Sequence, residues 1–305
     1  MKRTQVSRRR PYAILDSGAG RPVFAKLFTT DICQEFAKAA QIHRIATLCG
    51  HFYAPEPLLV DPGVKLIVWE GLTELVPLRT YLIASCWQPA RTLRLMRCCG
   101  RALGAIHTGL DLPEGRPWQD PEKSFADLPP ELRQHASAVL RSSPSRHFHG
   151  DYACANLFVT TNAFEEERLV VIDSSPNHYI FRQAATNATA SVYYDIGLLI
   201  MTLHSKLSFY VYCQRQLRQH CESFLEAYEE ETGLSLDRTT VWACAAYFLS
   251  CYRRYQQRRS VERGVSKWAA VLFRLYSAQR LTKVAASIRL CEPRLETALQ
   301  PESIA

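Results

Sequence analysis

The spacing of apolar and polar residues over the first seventy positions predicts a small β-rich unit that carries one helix. Two short apolar runs, at 12–15 and 23–28, surround a polar link that contains glycine, which is typical of a β-hairpin. Apolar residues then recur at helical spacing over 31–47, and Asp31 is the expected N-cap of this helix. Alternation returns after a Pro-x-Pro link, and it predicts two further strands at 57–60 and 65–69.

After residue 71 the pattern becomes mainly helical. An amphipathic helix is predicted at 92–107, because one face is apolar and the opposite face carries arginines. The stretch 112–130 is rich in proline, glycine and acidic residues, so we expect a surface loop there. Longer helical patterns cover roughly 192–231, 237–259 and 265–288. Short apolar runs predict strands near 147–149, 157–160 and 169–173.

These patterns divide the chain into three parts. Residues 1–10 are polar and basic and are interpreted as a flexible arm. Residues 11–71 form the β-rich amino-terminal lobe, and residues 72–305 form a larger, mainly helical carboxyl-terminal lobe. The expected fold class is therefore α+β, because strands and helices are segregated along the sequence.

Composition makes this an ordinary globular chain. Hydrophobic residues are 47% of the 305 and charged residues 22%, which argues against disorder. No window approaches the roughly eighteen apolar residues of a membrane-spanning helix. The basic first residues also lack the apolar core of a secretory signal. We therefore expect a cytoplasmic protein without stable membrane insertion, whose eleven cysteines are mostly buried thiols.

The formal charge of +8 suits anionic partners such as nucleotides. Nucleic acid is not an expected partner, because no segment interleaves basic residues with aromatic ones and no reader motif occurs. The Gly-x(4)-Gly-Lys pattern is absent as well, so the chain is not a P-loop enzyme. Charge alone does not assign a function.

The segment with the clearest chemistry is His149-Gly150-Asp151, followed by Asn156 and then by Ile172-Asp173. Asp151 and Asn156 lie five residues apart in a predicted loop between apolar strands, and Asp173 ends the next apolar strand. A carboxylate at the end of a hydrophobic strand needs water, metal or ligand, since burying it without a partner is costly. Phosphoryl transfer requires such groups: an acceptor for the attacking hydroxyl and oxygen ligands for Mg²⁺.

The pattern His-x-Asp-x(4)-Asn, followed by an apolar strand ending in Ile-Asp, resembles aminoglycoside phosphotransferases and choline kinases. This resemblance implies a two-lobed, protein-kinase-like fold with ATP and Mg²⁺ as cofactors. It implies that Asp151 is the catalytic carboxylate and that Asn156 and Asp173 hold the metal. It also implies that His149 and Asp195, the latter in Tyr194-Asp195-Ile196-Gly197, support the catalytic loop.

The same resemblance assigns an ATP site to the amino-terminal lobe. Lys26 resembles the strand lysine that contacts the nucleotide phosphates, and Glu35 resembles the helix glutamate that pairs with it. The stretch from Ile67 to Leu72, which includes Glu70, looks like the hinge whose backbone meets the adenine edge. The Gly18-Ala19-Gly20 run is the counterpart of a glycine-rich phosphate loop or a simple hairpin turn.

Three functions follow from these expectations. The leading one is an ATP-dependent phosphotransferase that acts on a hydroxyl of a small molecule such as a sugar, amino alcohol or aminoglycoside-like compound. The alternatives are a kinase acting on a lipid-linked sugar or protein, and a non-catalytic kinase-like nucleotide-binding protein. Acidic residues at 222, 226 and 229–231 could meet a cationic acceptor, although a solvated helix face is the simpler interpretation.

Overall fold

A five-stranded antiparallel sheet forms the amino-terminal lobe in the computed structural model of the chain. In spatial order its strands are β1 (Lys2–Val6), β2 (Tyr12–Asp16), β3 (Pro22–Leu27), β5 (Leu66–Glu70) and β4 (Pro57–Asp61). The structure describes residues 2–6, 12–16, 22–28, 31–113, 115–118, 125–126, 128–161, 167–176, 184–207 and 214–262. The Gly18-Ala19-Gly20 run therefore lies outside the described residues.

Residues 2–6 form a strand where the sequence suggested a loose arm. β1 pairs with β2, with Lys2 opposite Asp16 and Val6 opposite Ala13. The described part of the predicted arm is thus a strand of the sheet. The free edge of β2 offers backbone donors and acceptors, which even a polar segment can satisfy by pairing.

Helix α1 (Ile32–Cys49) packs against this sheet and continues toward the second lobe. Its start agrees with the sequence, since the Asp31 carboxylate accepts the amide protons of Cys33 and Gln34 at 3.1 and 3.4 Å. It ends at Gly50, whose φ of 69° closes the helix in the left-handed conformation. Both ends are thus fixed by local sequence.

The carboxyl-terminal lobe is mainly helical, as predicted. Among the described residues its helices are α2 (Leu78–Ala84), α3 (Pro89–Gly109), α4 (Pro130–Ser142), α5 (Tyr193–Leu207), α6 (Gln214–Thr232) and α7 (Arg238–Glu262). The helical pattern expected over 192–231 corresponds to α5 and α6, with 208–213 between them outside the described residues, and the pattern expected at 265–288 also lies outside them. No helix within the described ranges is long and apolar enough to cross a membrane.

Two small sheets fix the positions of the loops that carry the predicted site residues. One contains β6 (Val76–Pro77), β8 (Leu157–Thr161) and β9 (Glu167–Val171), and the other pairs β7 (Ser145–His147) with β10 (Thr189–Ser191). The strands predicted near 147–149 and 169–173 end earlier than expected. His149 and Asp173 therefore lie in loops that follow β7 and β9, where side chains are free to converge.

Backbone hydrogen bonds join the two lobes beside these loops. The Tyr53 amide donates to the Leu169 carbonyl at 2.8 Å, and the Val171 amide donates to the Tyr53 carbonyl at 2.9 Å. The segment after α1 is thereby attached to β9, the strand that leads to Asp173. The amino-terminal lobe is therefore held in register with the candidate catalytic region.

Candidate active site

The loop between β7 and β8 brings Asp151 and Asn156 into direct contact. The Asn156 amide nitrogen donates to the Asp151 carbonyl at 2.9 Å and to its carboxylate at 2.8 Å. Gly150 precedes them with a φ of 86°, and a Cβ there would lie 2.8 Å from the Cα of Pro176. Glycine is required at this position for both reasons. Since the amide NH₂ of Asn156 is engaged, its carbonyl oxygen is the atom left for a metal.

Asp173 comes to the same place through the β8–β9 pairing. Leu157 lies opposite Val171 in the register, and the Ile172 amide donates to the Asn156 carbonyl at 3.1 Å. Asp173 itself, two residues after β9 ends, has a φ of 54° in the left-handed region. Positive φ in a non-glycine residue is uncommon and concentrates at functional sites.

Lys26 reaches this group from the amino-terminal lobe. It lies on β3 opposite Ile67, and its Nζ is 2.7 Å from the Asp173 carboxylate. The two side chains are 25% and 39% exposed, so the pair is open to solvent and to a ligand. The structure therefore brings together four of the predicted site residues, which are Lys26, Asp151, Asn156 and Asp173. Lys26 and Asp173 lie 147 positions apart in the sequence.

Glu35 does not pair with Lys26, in contrast to the sequence expectation. Its buried carboxylate accepts hydrogen bonds from the hydroxyls of Ser175 and Thr186, each at 2.7 Å. Only nine positions separate Lys26 from Glu35, so the helix starts too soon after the strand for the pair to form. Glu35 instead attaches α1 to the segment that follows Asp173.

The predicted hinge is held by internal hydrogen bonds. The Glu70 carboxylate accepts from the Tyr53 hydroxyl and from the Glu56 amide, and the Glu70 amide donates to the Glu56 carbonyl at 3.0 Å. Burial and the hydrogen bond to Glu70 raise the pKa of Tyr53. The carboxylate and the amide of Glu70 are thus both engaged in internal hydrogen bonds. Leu72 is the next hinge residue whose backbone could contact a ligand.

Asp195, at the start of α5, is completely buried beneath the loop between β7 and β8 that carries Asp151 and Asn156. Its carboxylate accepts the His149 amide at 2.6 Å, the Gly150 amide at 3.0 Å and His107 Nε2 at 3.1 Å. Burial opposes its ionisation, but the hydrogen bond from His107 leads the interactions that lower the pKa of Asp195 overall. The loop therefore rests on an ionised carboxylate.

His149 has a neutral, buried side chain. Burial lowers its pKa to about 4, so the imidazole is uncharged near neutral pH. Its Nδ1 accepts the Asp151 amide at 3.3 Å, which leaves the proton on Nε2. Nε2 has no hydrogen-bond partner among the described residues. A neutral imidazole enclosed in this way suits support of the loop rather than proton transfer.

Lys38 is a charged residue of this region that the sequence reasoning missed. It is completely buried on α1, and its Nζ donates to the His149 carbonyl at 3.1 Å. Burial lowers its pKa to about 8, against the raising influence of Glu35, Asp195 and Asp173. A signal was present: Lys38 lies at helical spacing between Ile32 and Ile42, on the buried face of α1.

The acidic residues of α6 are occupied by ion pairs. Their partners come from α3, α7 and the segment after α1, at distances between 2.6 and 3.7 Å. The pairs are Glu222 and Glu229 with Arg238, Glu226 and Glu230 with Arg97, and Glu231 with His51. Each carboxylate is thus engaged in a surface network, in which Arg97 and Arg238 each serve two glutamates.

The residues around Asp173 fit a magnesium ion. The Asn156 carbonyl oxygen and the Asp173 carboxylate are hard oxygen ligands of the kind that Mg²⁺ prefers. Their backbones are joined by the Ile172–Asn156 hydrogen bond, and Asp173 is partly exposed. Mg²⁺ usually takes one or two protein ligands and completes its shell with water and phosphate oxygens.

Comparison with solved structures identifies the fold. Amicoumacin kinase hAmiN, in complex with AMP-PNP, Ca²⁺ and Ami, matches with a TM-score of 0.60 and 12% identity, over 93% of this chain and 88% of that one. Choline kinase LicA from Streptococcus pneumoniae matches with 0.55 and 12% identity, over 92% and 93%. A choline/ethanolamine kinase family protein from Mesorhizobium loti matches with 0.53 and 17% identity, over 95% and 92%.

These likenesses cover nearly the whole chain and confirm the predicted fold class. The protein has an α+β, two-lobed kinase-like fold, with a small β-rich lobe and a larger helical lobe. No family model and no curated protein matches the sequence itself. What the chain does must therefore be argued from its own residues.

Proposed function

We propose that this protein is an ATP-dependent phosphotransferase that moves the γ-phosphate to a hydroxyl of a small molecule. The acceptor class is a sugar, an amino alcohol or an aminoglycoside-like compound. One observation carries the proposal: Lys26, Asp151, Asn156 and Asp173 converge, although they come from three separate parts of the sequence. The kinase-like fold supports this assignment, because it is the architecture shared with the kinases described above.

Asp151 is the proposed catalytic residue. Asn156 holds one oxygen of its carboxylate, and the backbone before it is fixed to Asp195, so the carboxylate is pre-oriented. From that position it would accept a hydrogen bond from the acceptor hydroxyl and aim the oxygen at the terminal phosphorus. Orientation of this kind is worth up to roughly 7–11 kcal/mol of barrier.

Asn156 and Asp173 would hold magnesium, and the bound ion would neutralise charge on the β- and γ-phosphates. Lys26 would then share Asp173 with the metal and place its ammonium against the phosphates. The Leu72 backbone would meet the adenine edge, while Glu70 and Glu35 shape the hinge and α1 from within. Each side chain thus has a separate task in an in-line transfer.

The named activities of the structural neighbours support the same class. They include choline kinase and amicoumacin kinase, and a macrolide 2'-phosphotransferase also matches with a TM-score of 0.50. LicA has been solved with AMP, and hAmiN with an ATP analogue and a divalent cation. A nucleotide, a divalent metal and a hydroxyl-bearing acceptor are the ligands we therefore propose for this chain.

The test is turnover of ATP by the purified protein with Mg²⁺ and pooled hydroxyl-bearing metabolites. We expect Asp151→Asn and Asp173→Asn to reduce acceptor-dependent turnover by about 10²–10⁴-fold, because each removes a charge that acts on the reacting groups. Asp111→Asn is the matched control, since Asp111 is an exposed carboxylate outside the site. It should retain wild-type turnover and folding.

Equal turnover in all three variants would contradict the proposal. Stabilisation by nucleotide without turnover, independent of Mg²⁺, would indicate the non-catalytic binding protein instead. Turnover restricted to lipid-linked sugars or proteins would contradict the proposed small-molecule acceptor. It would still support the proposed roles of Asp151 and Asp173. The variants therefore separate the residue roles from the identity of the acceptor.

A further inference from the structure

Lys38 is a lysine in a place where lysine is costly. Its side chain has no solvent exposure, and it lies on the face of α1 that packs against the second lobe. An aliphatic residue of similar size could fill the same volume without the cost of burying a charge. A buried lysine is therefore informative when its ammonium has one defined partner.

That partner is the peptide group immediately before Asp151. The carbonyl of His149 accepts from Lys38 Nζ at 3.1 Å, and the amide of Gly150 donates to Asp195 at 3.0 Å. These two groups belong to one planar peptide unit, in which C=O and N–H point in opposite directions. Lys38 and Asp195 thus hold the same peptide from its two sides.

The surroundings of the ammonium favour this single arrangement. Carboxylates face it from three elements: Glu35 on α1, Asp195 on α5 and Asp173 after β9. Its Nζ also lies 5.6 Å from the ring centroid of Phe148, within range of a cation–π interaction. The charge is therefore held between acidic groups and a ring, with the His149 carbonyl as its hydrogen-bond acceptor.

We propose that Lys38 is a positioning residue for the catalytic loop: it fixes the plane of the His149–Gly150 peptide and thereby the placement of the Asp151 carboxylate. The proposal rests on the phosphotransferase function proposed above. It gives α1 a role in the placement of Asp151, through a hydrogen bond to the backbone of the loop. Glu35 reinforces that role by holding α1 to Ser175 and Thr186.

The test compares Lys38→Met with Ile42→Ala, a buried residue one turn further along α1. Lys38→Met keeps the length of the side chain and removes its charge and donor. We expect kcat to fall by about 10²-fold, the loss that a misplacement of about 1 Å can cause. Nucleotide affinity should stay within about threefold of wild type. Ile42→Ala should lower the melting temperature and keep kcat.

Hydrogen exchange provides a readout that does not need turnover. In Lys38→Met the Gly150 amide should exchange faster than in wild type, whereas in Ile42→Ala it should remain protected at temperatures where the variant is folded. If the wild type proves inactive with every acceptor, the proposed function fails, and the exchange result still decides whether Lys38 holds the peptide. Unchanged kcat with unchanged Gly150 protection in Lys38→Met would overturn the inference.

Discussion

Two groups of ionisable residues in this protein each contain two acids and two bases, in opposite settings. The first, which we call the buried charge cluster, lies under the catalytic loop and comprises Glu35, Lys38, His107 and Asp195. The second, the surface ion-pair row, lies on α3 and α6 and comprises Arg97, Arg101, Glu226 and Glu230. In the cluster each charge has fixed hydrogen-bond partners, whereas in the row the charges are also solvated.

The difference in solvent exposure between the two groups shows where charged side chains determine the structure of this fold. Water screens the surface row, so each pair adds little to stability and its loss is easily compensated. In the buried cluster no water replaces a missing partner, so the remaining groups stay desolvated and unpaired. The cluster also touches the backbone of the catalytic loop, so its geometry is passed directly to Asp151.

The largest expected effect breaks the buried cluster at its centre. Asp195→Ala leaves the His149 and Gly150 amides and His107 without their acceptor. We expect the free energy of unfolding to fall by about 3–5 kcal/mol, the usual cost of removing one partner from a buried charged network. Denaturant unfolding measures it, with Glu230→Ala as the surface control. A loss below about 1 kcal/mol would contradict the comparison.

A second prediction uses pH to separate buried groups from exposed ones. Burial lowers the pKa values of His149 and His204 from 6.5 to about 4. Between pH 6.5 and 4 the unfolded chain binds protons that the folded chain does not, so stability falls as pH falls through this window. Above pH 6.5 these groups contribute no slope. Each histidine accounts for roughly 3 kcal/mol over the window.

His204→Leu checks this assignment, because His204 lies in the helical core away from the catalytic loop. The variant should lose the His204 contribution to the slope of unfolding free energy against pH in that window, whereas His149 and His220, whose pKa values burial also lowers, should keep theirs. A slope identical to that of the wild type would show that burial of His204 does not govern the acid response.

A third prediction compares two glycines that share a left-handed backbone. Gly150 has a φ of 86° and backbone atoms of Pro176 where a Cβ would be, whereas Gly233 has a φ of 69° and open space around it. Alanine at either position costs about 1–2 kcal/mol of conformational strain. Only Gly150→Ala should also displace the catalytic loop and reduce kcat. Gly233→Ala is the control, because its strain should lower the stability by a similar amount. Equal kcat in the two variants would contradict the importance of the close approach of Gly150 to Pro176.

The smallest expected effect belongs to the surface row. Arg97→Ala removes contacts of 2.6 Å to Glu230 and 3.7 Å to Glu226. We expect a loss of about 0.2–1 kcal/mol that shrinks further in high salt, since these groups are exposed. Thermal unfolding at two salt concentrations measures it. A loss as large as that of Asp195→Ala would mean that exposure does not distinguish the two groups.

Much of the fold could be predicted from local patterns. The hairpin of β2 and β3, the start of α1 at Asp31 and the short strands around the catalytic loop all follow from residue spacing and capping. The strand formed by residues 2–6 could not, because pairing of a polar segment depends on a free sheet edge elsewhere.

By itself, the sequence determined the set of chemical groups and their order: the His149-Gly150-Asp151 motif, Asn156, and a carboxylate after an apolar strand. Only the tertiary structure decided the partners. Lys26 forms an ion pair with Asp173, and Glu35 accepts hydrogen bonds from Ser175 and Thr186. Lys38 donates a hydrogen bond to the His149 carbonyl. The physical reason is distance along the chain, because periodicity reports which face of an element is buried. Hydrogen bonds form with whatever that packing brings within about 3 Å.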